Sequence, residues 1–450
     1  MFNRDLLKQL IDWSKKDNRK PLIIRGARQV GKTTLVRMFG TQFGQFIQLN
    51  LEKAEDRALF EKTDNISEIV KSIFFLNNKS ISDGKTLLFI DEIQNSPKAV
   101  KMLRYFYEEF KELYVIAAGS LLEAVLNFNV SFPVGRVEYL FLHPCSFKEY
   151  LTASNVNGML EAVNDIPFPP LLHEKALKLF SEYALIGGMP EIIENYINSK
   201  DTLQLNSIYE SLLISYIDDI EKYSKNITQA TVLRQIIRSC FAEAGKRIKY
   251  EGFGNTNYKS REIKEALLLL ERAMLIKILF PTSTVIPPFQ KNYRKSPKLM
   301  VLDTGLINYF SGIQKEFFLT NTLEDVYQGR ISEHIVGQEL FSIHGSQLLQ
   351  PTFWTREKKQ SFAEVDYVIQ FNDIIIPVEV KSGKAGTLRS LMQFIDIAPH
   401  NYAVRIFSGQ LGVEKQETIN GKKFLLLNLP FYLAGNIYNY LDWFVSSNKV

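Results

Sequence analysis

The sequence has few cysteines and no long apolar runs. Of its 450 residues two are cysteine, Cys145 and Cys240, and they lie far apart. Two isolated thiols give neither a zinc-binding spacing nor a disulfide framework, which favours a reducing compartment. No uninterrupted apolar stretch reaches the roughly 20 residues that a membrane-spanning helix needs. The first twenty residues are interrupted by charges, unlike a signal peptide. We therefore expect a cytoplasmic protein with no membrane partner.

Charge of one sign is not in large excess either. The net charge is +5, with 46% hydrophobic and 23% charged residues, which is typical of a folded soluble chain. A mild basic bias permits contact with nucleic acid but does not require it. The length is enough for two to four domains of ordinary size.

A phosphate-binding loop is the strongest local motif. The apolar strand "LII" precedes "GARQVGKT", which fits G-x-x-x-x-G-K-[ST], and the helical pattern "TTLVRMF" follows at once. Glycines allow backbone N–H groups to surround phosphates, and the helix N-terminus adds positive potential. Lys32 is expected to reach the β- and γ-phosphates, and the Thr33 hydroxyl to coordinate Mg²⁺. The residues predicted to bind the nucleotide are Gly26, Ala27, Arg28, Gln29, Val30, Gly31, Lys32, Thr33 and Thr34.

Two further apolar strands end in polar residues. The run "TLLFIDEIQ" delivers Asp91 and Glu92, and "LYVIAAGS" ends at Ser120. Buried parallel strands present such residues at their carboxyl ends. Asp91 is predicted to hold Mg²⁺ through water and Glu92 to polarise the attacking water. Ser120 is either a sensor of the γ-phosphate or a simple strand-end hydroxyl.

Together these segments resemble the AAA+ branch of the phosphate-loop ATPases. Downstream, "FPVGRVEYLFLHPCSFKEYL" and "YALIGGMPEIIENYI" resemble a prokaryotic ATPase family with a C-terminal domain of unknown function. In that family, GR and GGMPE signatures recur between the ATPase core and a helical lid. The resemblance makes Arg136 a candidate arginine finger or sensor, in the same chain or on a neighbour. Packing against the lid is the alternative for Arg136.

The middle of the chain is predicted to be helical. Two amphipathic helices, "ITQATVLRQIIRSCFAEAGK" and "NYKSREIKEALLLLERAMLI", precede the strand "IKILFPTS". Helix, helix and strand hairpin outline a winged helix, and the family resemblance points the same way. The second helix carries cations that either contact DNA phosphates or form a solvated face. These cations are Lys259, Arg261, Lys264 and Arg272.

Near the C-terminus, "AEVDYVIQFNDIIIPVEVKSG" predicts a hairpin with opposed acids. If Asn372-Asp373 forms the turn, Phe371 pairs with Ile374 and Asp366 falls opposite Glu379. That pair is of the non-hydrogen-bonded kind, in which side chains approach closest. Like charges so placed are destabilising, so something must offset this pair. Lys381 lies two residues past Glu379 and is therefore expected on the same face.

The segment also resembles the PD-(D/E)xK nucleases, in which a helix with an acid precedes a hairpin with Asp and then Glu-x-Lys. The resemblance implies that Asp366 and Glu379 share one or two Mg²⁺ ions, with Glu333 completing the ligand set. Lys381 would orient or deprotonate the attacking water. Glu339 is the less favoured alternative to Glu333, and Gln393 is a weaker candidate for contact with water or phosphate. An inert descendant that only binds or dimerises is the competing interpretation.

These predictions combine into an α/β chain of four domains. They are an AAA+ core (1–150), a helical lid (151–225), a winged helix (226–285) and a nuclease-like domain (286–450). The expected function is ATP hydrolysis that gates DNA binding or metal-dependent DNA cleavage. The alternative is an ATP-switched interaction module with an inert nuclease-like domain. The expected cofactors are ATP and Mg²⁺, and the partners are DNA, a further copy of the chain or another protein.

Overall fold

The computed structural model describes residues 2–120, 135–222, 224, 226–312, 330–343, 350–358, 361–382 and 387–448. The chain divides into two compact units. The N-terminal unit comprises residues 3–143 and 272–274, and the C-terminal unit comprises residues 1–2, 144–271 and 275–450.

The N-terminal unit is built on a parallel sheet of five strands. Their order across the sheet is β2-β3-β4-β1-β5, and every neighbouring pair is parallel. β1, β3 and β4 are buried at every position, as their continuous apolar runs require of strands covered on both faces. All three were predicted from the sequence and are confirmed. The strands are β1 (Leu22–Arg25), β2 (Gln45–Asn50), β3 (Thr86–Asp91), β4 (Tyr114–Gly119) and β5 (Glu138–Phe141).

The helices of this unit begin at recognisable caps. The Asn65 side chain accepts hydrogen bonds from two backbone N–H groups of α4, and Ser96 caps α5 ahead of Pro97. The apolar faces of α3, α4 and α5 pack on the sheet in one core with the strands. The helices are α1 (Leu6–Ser14), α2 (Lys32–Gly40), α3 (Ala54–Glu61), α4 (Ile66–Leu76) and α5 (Pro97–Glu109).

The C-terminal unit begins with a helical region. The first helix starts at a capping box in which Ser146 and Glu149 exchange side-chain-to-backbone hydrogen bonds. The helices of this region are α6 (Phe147–Ala153), α7 (Asn157–Asn164), α8 (His173–Ile186), α9 (Pro190–Ser199), α10 (Leu205–Glu221), α11 (Ile227–Ala242) and α12 (Ser260–Arg272).

A two-stranded antiparallel sheet follows these helices. It pairs β6 (Ile276–Leu279) with β7 (Lys298–Val301), and α13 (Thr304–Phe310) follows. Two helices and a strand hairpin therefore occur in the predicted order. The hairpin extends past residue 285, so the boundary expected there falls between two hydrogen-bonded strands.

A mixed sheet of six strands occupies the C-terminal part of this unit. The strand order is β12-β13-β11-β10-β9-β8, with parallel pairing of β10 to β11 and of β11 to β13. One face is covered by α15, whose Leu391 and Phe394 pack with Trp354 and Val365 in a single core. The elements are α14 (Arg330–Ser342), β8 (Thr352–Lys358), β9 (Ser361–Phe371), β10 (Ile374–Val380), α15 (Arg389–Ile397), β11 (Tyr402–Phe407), β12 (Gly412–Glu417), β13 (Lys423–Pro430) and α16 (Ile437–Ser447).

The lengths and apolar content of the helices bear on whether the chain could span a bilayer. Within the described ranges, none is both long enough and apolar enough to cross a membrane.

Candidate functional site

The predicted phosphate-binding loop connects β1 to α2 in the N-terminal unit. Gly26 packs closely against the chain segment that contains Leu142. An added Cβ would be 2.5 Å from the Leu142 carbonyl oxygen. Gln29 and Gly31 both have positive φ, 64° and 96°, so the backbone turns tightly before the helix begins at Lys32. Close approach and left-handed turns are what a loop that wraps phosphates requires.

Lys32 is held inside this loop. Its ammonium donates hydrogen bonds to the carbonyl oxygens of Gly26, at 2.9 Å, and Ala27, at 2.8 Å. The residue is buried. A polyphosphate would offer negatively charged acceptors to this ammonium group. Charged acceptors form stronger hydrogen bonds than neutral carbonyls do. The lysine is therefore already directed to the place where the loop can bind phosphate.

Thr33 and Asp91 form the second part of this site. The Thr33 hydroxyl donates a 2.7 Å hydrogen bond to Asp91 Oδ2 at the carboxyl end of β3. Burial raises the pKa of Asp91, while the Thr33 hydroxyl and a backbone N–H oppose the shift. One hydroxyl and one carboxylate in contact are oxygen donors of the kind that Mg²⁺ prefers. The residues present thus fit a nucleotide-bound magnesium ion.

Glu92 follows Asp91 in a strained backbone conformation, with a φ of 53°. Its carboxylate accepts a hydrogen bond from the Gln94 amide, and burial raises its pKa. Gln94 in turn lies against Gly119, where an added Cβ would be 2.2 Å from the Gln94 side-chain oxygen. The hydrogen bond from Gln94 thus holds the Glu92 carboxylate in place, and no sequence motif indicated Gln94.

Ser120 and Arg136 have different surroundings. Ser120 is buried immediately after β4. Arg136 is 44% exposed and bonds through Nε to Glu108 Oε1 at 3.3 Å. Glu108 also pairs with Arg104, four residues before it on α5. The sensor and finger roles stay predictions.

The predicted acidic hairpin is present in the C-terminal unit. β9 and β10 pair in the expected register, from Phe371–Ile374 to Tyr367–Val378, which confirms the turn at Asn372-Asp373. One step further, the Val380 N–H donates a 2.8 Å hydrogen bond to Asp366 Oδ2.

One cation beside these acids is Lys298, a lysine that no sequence motif indicated. Lys298 Nζ from β7 lies 2.5 Å from Glu333 Oε1, 2.8 Å from Glu364 Oε1 and 3.9 Å from Asp366 Oδ1. Its side chain is 3% exposed. Burial alone would lower the pKa of Lys298, but the three carboxylates raise it above its usual value. The ammonium is thus charged and enclosed; we call Lys298, Glu333, Glu364 and Asp366 the Lys298 cluster.

Glu379 and Lys381 form a pair beside the Lys298 cluster. Lys381 Nζ donates to Glu379 Oε1 at 2.7 Å. The other carboxylate oxygen, Oε2, is buried and has no hydrogen-bond partner among the described residues. Burial, then the neighbouring Asp366, raise the pKa of Glu379. All four residues carried over from the nuclease motif therefore lie in one region.

The metal part of the nuclease prediction is not matched by this geometry. Among the residues that the structure describes, no group of three or more carboxylate, imidazole or thiolate side chains is arranged to hold a metal ion. An ammonium group lies between the carboxylates instead. The residues as arranged do not fit a divalent ion.

The remaining two candidates have separate environments. Glu339 accepts hydrogen bonds from the Phe147 N–H at 3.0 Å and the Tyr183 hydroxyl at 2.7 Å, and burial raises its pKa to about 7. It therefore supports the packing of α6 and α8 and forms no bond to the Lys298 cluster. Gln393 lies on α15, and its buried Oε1 has no hydrogen-bond partner in the described part of the chain.

Sequence comparison matches three segments of the chain to known families. Residues 18–151 match a family described as an AAA domain. Residues 177–316 and 328–432 match two domains of unknown function, DUF8612 and DUF4143. The chain thus has one segment similar to AAA domains, followed by two segments similar to families of unknown function.

Individual relatives are distant. An uncharacterized protein of Haemophilus influenzae is 25% identical over 343 residues, covering 72% of this chain and 77% of that protein. A Walker-type ATPase of Pyrococcus abyssi is 15% identical, with a TM-score of 0.44, covering 69% of this chain and 96% of that one. The ORC1 protein of Aeropyrum pernix in complex with DNA is 13% identical, with a TM-score of 0.29, covering 72% and 95%. Superpositions this loose say nothing about what the chain binds.

Proposed function

We propose that the chain binds ATP with Mg²⁺ and hydrolyses it at the loop between β1 and α2. The observation that carries the proposal is the hydrogen bond between Thr33 and Asp91, because it joins the phosphate loop to the acid of β3. The match of residues 18–151 to an AAA domain supports the same chemistry.

Each residue of the loop has a defined task in this proposal. Lys32 exchanges its two carbonyl acceptors for phosphate oxygens, and the loop N–H groups bind the remaining oxygens. Thr33 and Asp91 would hold Mg²⁺, which neutralises charge on the phosphates. Glu92 accepts a hydrogen bond from the attacking water and orients it. Ser120 and Arg136 are proposed to respond to the γ-phosphate, Arg136 after leaving Glu108.

Lys32→Ala tests this proposal. Losing the charged donor should weaken binding of a fluorescent ATP analogue by roughly a hundredfold, since hydrogen bonds to charged groups are worth about 1.5–3 kcal/mol each. Lys101→Ala on α5 is the matched control, because Lys101 is an exposed lysine of the same unit. If Lys32→Ala binds and hydrolyses ATP like the control, the assignment of the loop is wrong.

For the nuclease-like domain, the sequence left DNA cleavage and an inert interaction module open. We propose the inert module, switched by ATP. The supporting observation is Lys298, because a buried ammonium lies among the acids that cleavage would need for metal ions. DNA stays a proposed partner, through the exposed Lys259 immediately before α12 and the exposed Arg261 and Lys264 within it.

A nuclease panel separates the two functions. Single-stranded, duplex and branched DNA are incubated with the full chain and Mg²⁺ or Mn²⁺, with and without ATP, beside Asp366→Asn. Equal background in both proteins supports the inert module. Cleavage that Asp366→Asn abolishes would reject it and restore the nuclease interpretation.

A further inference from the structure

Lys298 contacts the carboxylates of the Lys298 cluster from β7, which lies outside the β9–β10 hairpin. β7 fixes its backbone by pairing Lys298 with Leu279 of β6. Its ammonium also lies 4.9 Å from the ring centroid of Phe353, within the range of a cation–π interaction. The backbone pairing and the ring contact therefore position Lys298 in addition to its contacts with the carboxylates.

The charges around Lys298 are nearly balanced. Four carboxyl groups lie in this region, those of Glu333, Glu364, Asp366 and Glu379. Three cations accompany them, Lys298, Lys381 and Arg247. Arg247 reaches Glu364 Oε2 at 3.8 Å and is bridged through its backbone to Lys298. Buried carboxylates are tolerated only when cations and hydrogen bonds compensate them. The protein supplies this compensation from its own side chains.

A divalent ion and this ammonium group exclude each other. Mg²⁺ needs carboxylate oxygens at about 2.0–2.1 Å, and Mn²⁺ accepts the same oxygen donors. The Lys298 nitrogen already lies within 2.5–2.8 Å of Glu333 and Glu364 oxygens. Glu379 Oε2, which has no hydrogen-bond partner among the described residues, adds a buried oxygen with unused acceptor capacity beside the cluster. Three carboxylates converge on the Lys298 ammonium, which takes a cation's place among them.

We propose that Lys298 is the resident cation of the nuclease-like centre, in the place of a divalent metal ion, and that its removal opens a divalent-cation site on Glu333, Glu364 and Asp366. This inference rests on the proposed inert module and names the residue responsible for it. The wild-type centre is an ammonium–carboxylate cluster that stabilises the packing of β7 on α14 and β9.

Mn²⁺ binding to the full chain without nucleotide tests the inference. Free Mn²⁺ is measured by electron paramagnetic resonance, and the absence of ATP keeps the phosphate loop out of the measurement. We expect no sub-millimolar site in the wild type. Lys298→Ala should bind a single Mn²⁺ at least about tenfold more tightly than the wild type, and adding Asp366→Asn should remove that site.

Lys277→Ala is the matched control. Lys277 lies on the paired strand β6 with its amine over Phe341, so its removal alters the same hairpin and leaves the cluster intact. Lys277→Ala should bind no Mn²⁺. Lys298→Met, which keeps the length of the side chain without its charge, replaces Lys298→Ala if the smaller residue prevents folding.

Each result has one meaning. Mn²⁺ binding by the wild type that Asp366→Asn removes would overturn the inference, and so would a folded Lys298 variant that binds none. If neither variant folds, the comparison of wild type with Asp366→Asn decides: absence of a site supports the inference and an Asp366-dependent site rejects it. DNA cleavage by the wild type would instead reject the inert module, so the two failures are distinguishable.

Discussion

Thr33 and Asp91, 58 residues apart in the sequence, are joined by a hydrogen bond of 2.7 Å between the Thr33 hydroxyl and Asp91 Oδ2. α2 and β3 fix the two backbones, because the loop ends at the first turn of α2 and Asp91 is the last residue of a fully buried strand. The first turn of α2 and the end of β3 therefore hold this hydroxyl and this carboxylate in contact.

Asp91→Asn tests the magnesium role of this pair. The amide oxygen can still accept from Thr33, but the negative charge is lost. We expect ATP binding without Mg²⁺ to change little and the tightening produced by Mg²⁺ to fall by about tenfold or more. Titration of a fluorescent ATP analogue with and without Mg²⁺ measures both. Asp64→Asn, an exposed change in the same unit, serves as control, and an unchanged Mg²⁺ effect in Asp91→Asn would contradict the role.

Glu92→Gln tests the assignment of the water-orienting residue. The amide cannot act as a general base, so hydrolysis should fall by about 10²–10⁴-fold, while ATP binding persists. Release of phosphate and retention of labelled ATP on the protein are the two measurements. Hydrolysis at the wild-type rate would show that another residue orients the water.

Gln94→Ala gives a pH-dependent prediction. The Gln94 amide stabilises the ionised form of Glu92 and so opposes the rise in its pKa caused by burial. Removing the amide should raise the pKa of Glu92 further. A base works only when deprotonated, so the pH range over which the hydrolysis rate rises should move to higher pH. The maximal rate reached above that range should stay at the wild-type level.

The rate is measured from about pH 6 to about pH 9. Asn77→Ala, which removes an amide distant in sequence from this hydrogen bond, should leave the profile where it is. A uniform loss of rate in Gln94→Ala, with no movement of that pH range, would mean that Gln94 only supports the local fold.

The sequence predicted the phosphate loop well because its information is local. Strand, glycines, Lys32 and helix follow one another within about twenty residues. The register of the β9–β10 hairpin was equally accessible, since a two-residue turn determines every pair. Glu364 was also within reach, because it alternates with Asp366 and so shares its face.

Lys298 could not be predicted in the same way. It lies 35 residues before Glu333 in the chain and begins an apolar strand, where a lysine ordinarily marks the solvated end. Only the pairing of β7 with β6 and the packing of α14 bring it inside. Gln94 was missed for a related reason, since its hydrogen bond to Glu92 depends on a turn with positive φ that the sequence does not display.

Glu339→Gln gives a prediction about stability and pH. In the folded chain burial raises the pKa of Glu339 to about 7, above its value of about 4.3 in an unfolded chain. Folding therefore favours the protonated form, and stability falls as pH rises through this window. Glutamine keeps the oxygen that accepts from Phe147 and Tyr183 but cannot ionise. At about pH 8 the variant should be more stable than the wild type, by on the order of 3 kcal/mol at most.

Near pH 5 this difference should shrink to about 1 kcal/mol, because Glu339 then stays protonated in the folded wild type and the pH is less than about one unit above its pKa in the unfolded chain. Urea unfolding at both pH values measures the difference, and Glu174→Gln at an exposed position should show none. A variant less stable than the wild type at pH 8 would show that the hydrogen bonds need the carboxylate.

Gly188→Ala tests the structural basis of the GGMPE motif. A Cβ at Gly188 would lie 2.3 Å from the carbonyl oxygen and 2.9 Å from the nitrogen of Cys145, and both are backbone atoms that cannot rotate away. The same glycine donates its N–H to Asp303 at 2.6 Å and accepts from the Cys145 N–H at 2.7 Å. An alanine at this position must push the backbone segments of Cys145 and Gly188 apart, which should destabilise the fold by about 1–3 kcal/mol.

Gly158→Ala is the matched control for this change. Gly158 lies in α7, and apart from its chain neighbours and the nearby backbone of the helix, no atom of the described residues is within 4 Å of the position of its added Cβ. Alanine in a helix should there stabilise the chain by about 0.5–1 kcal/mol. Urea unfolding of the two variants should therefore differ in sign. Equal stability would mean that Cys145 and Gly188 separate without cost, and the close approach of these two backbones would then not explain why glycine occupies position 188.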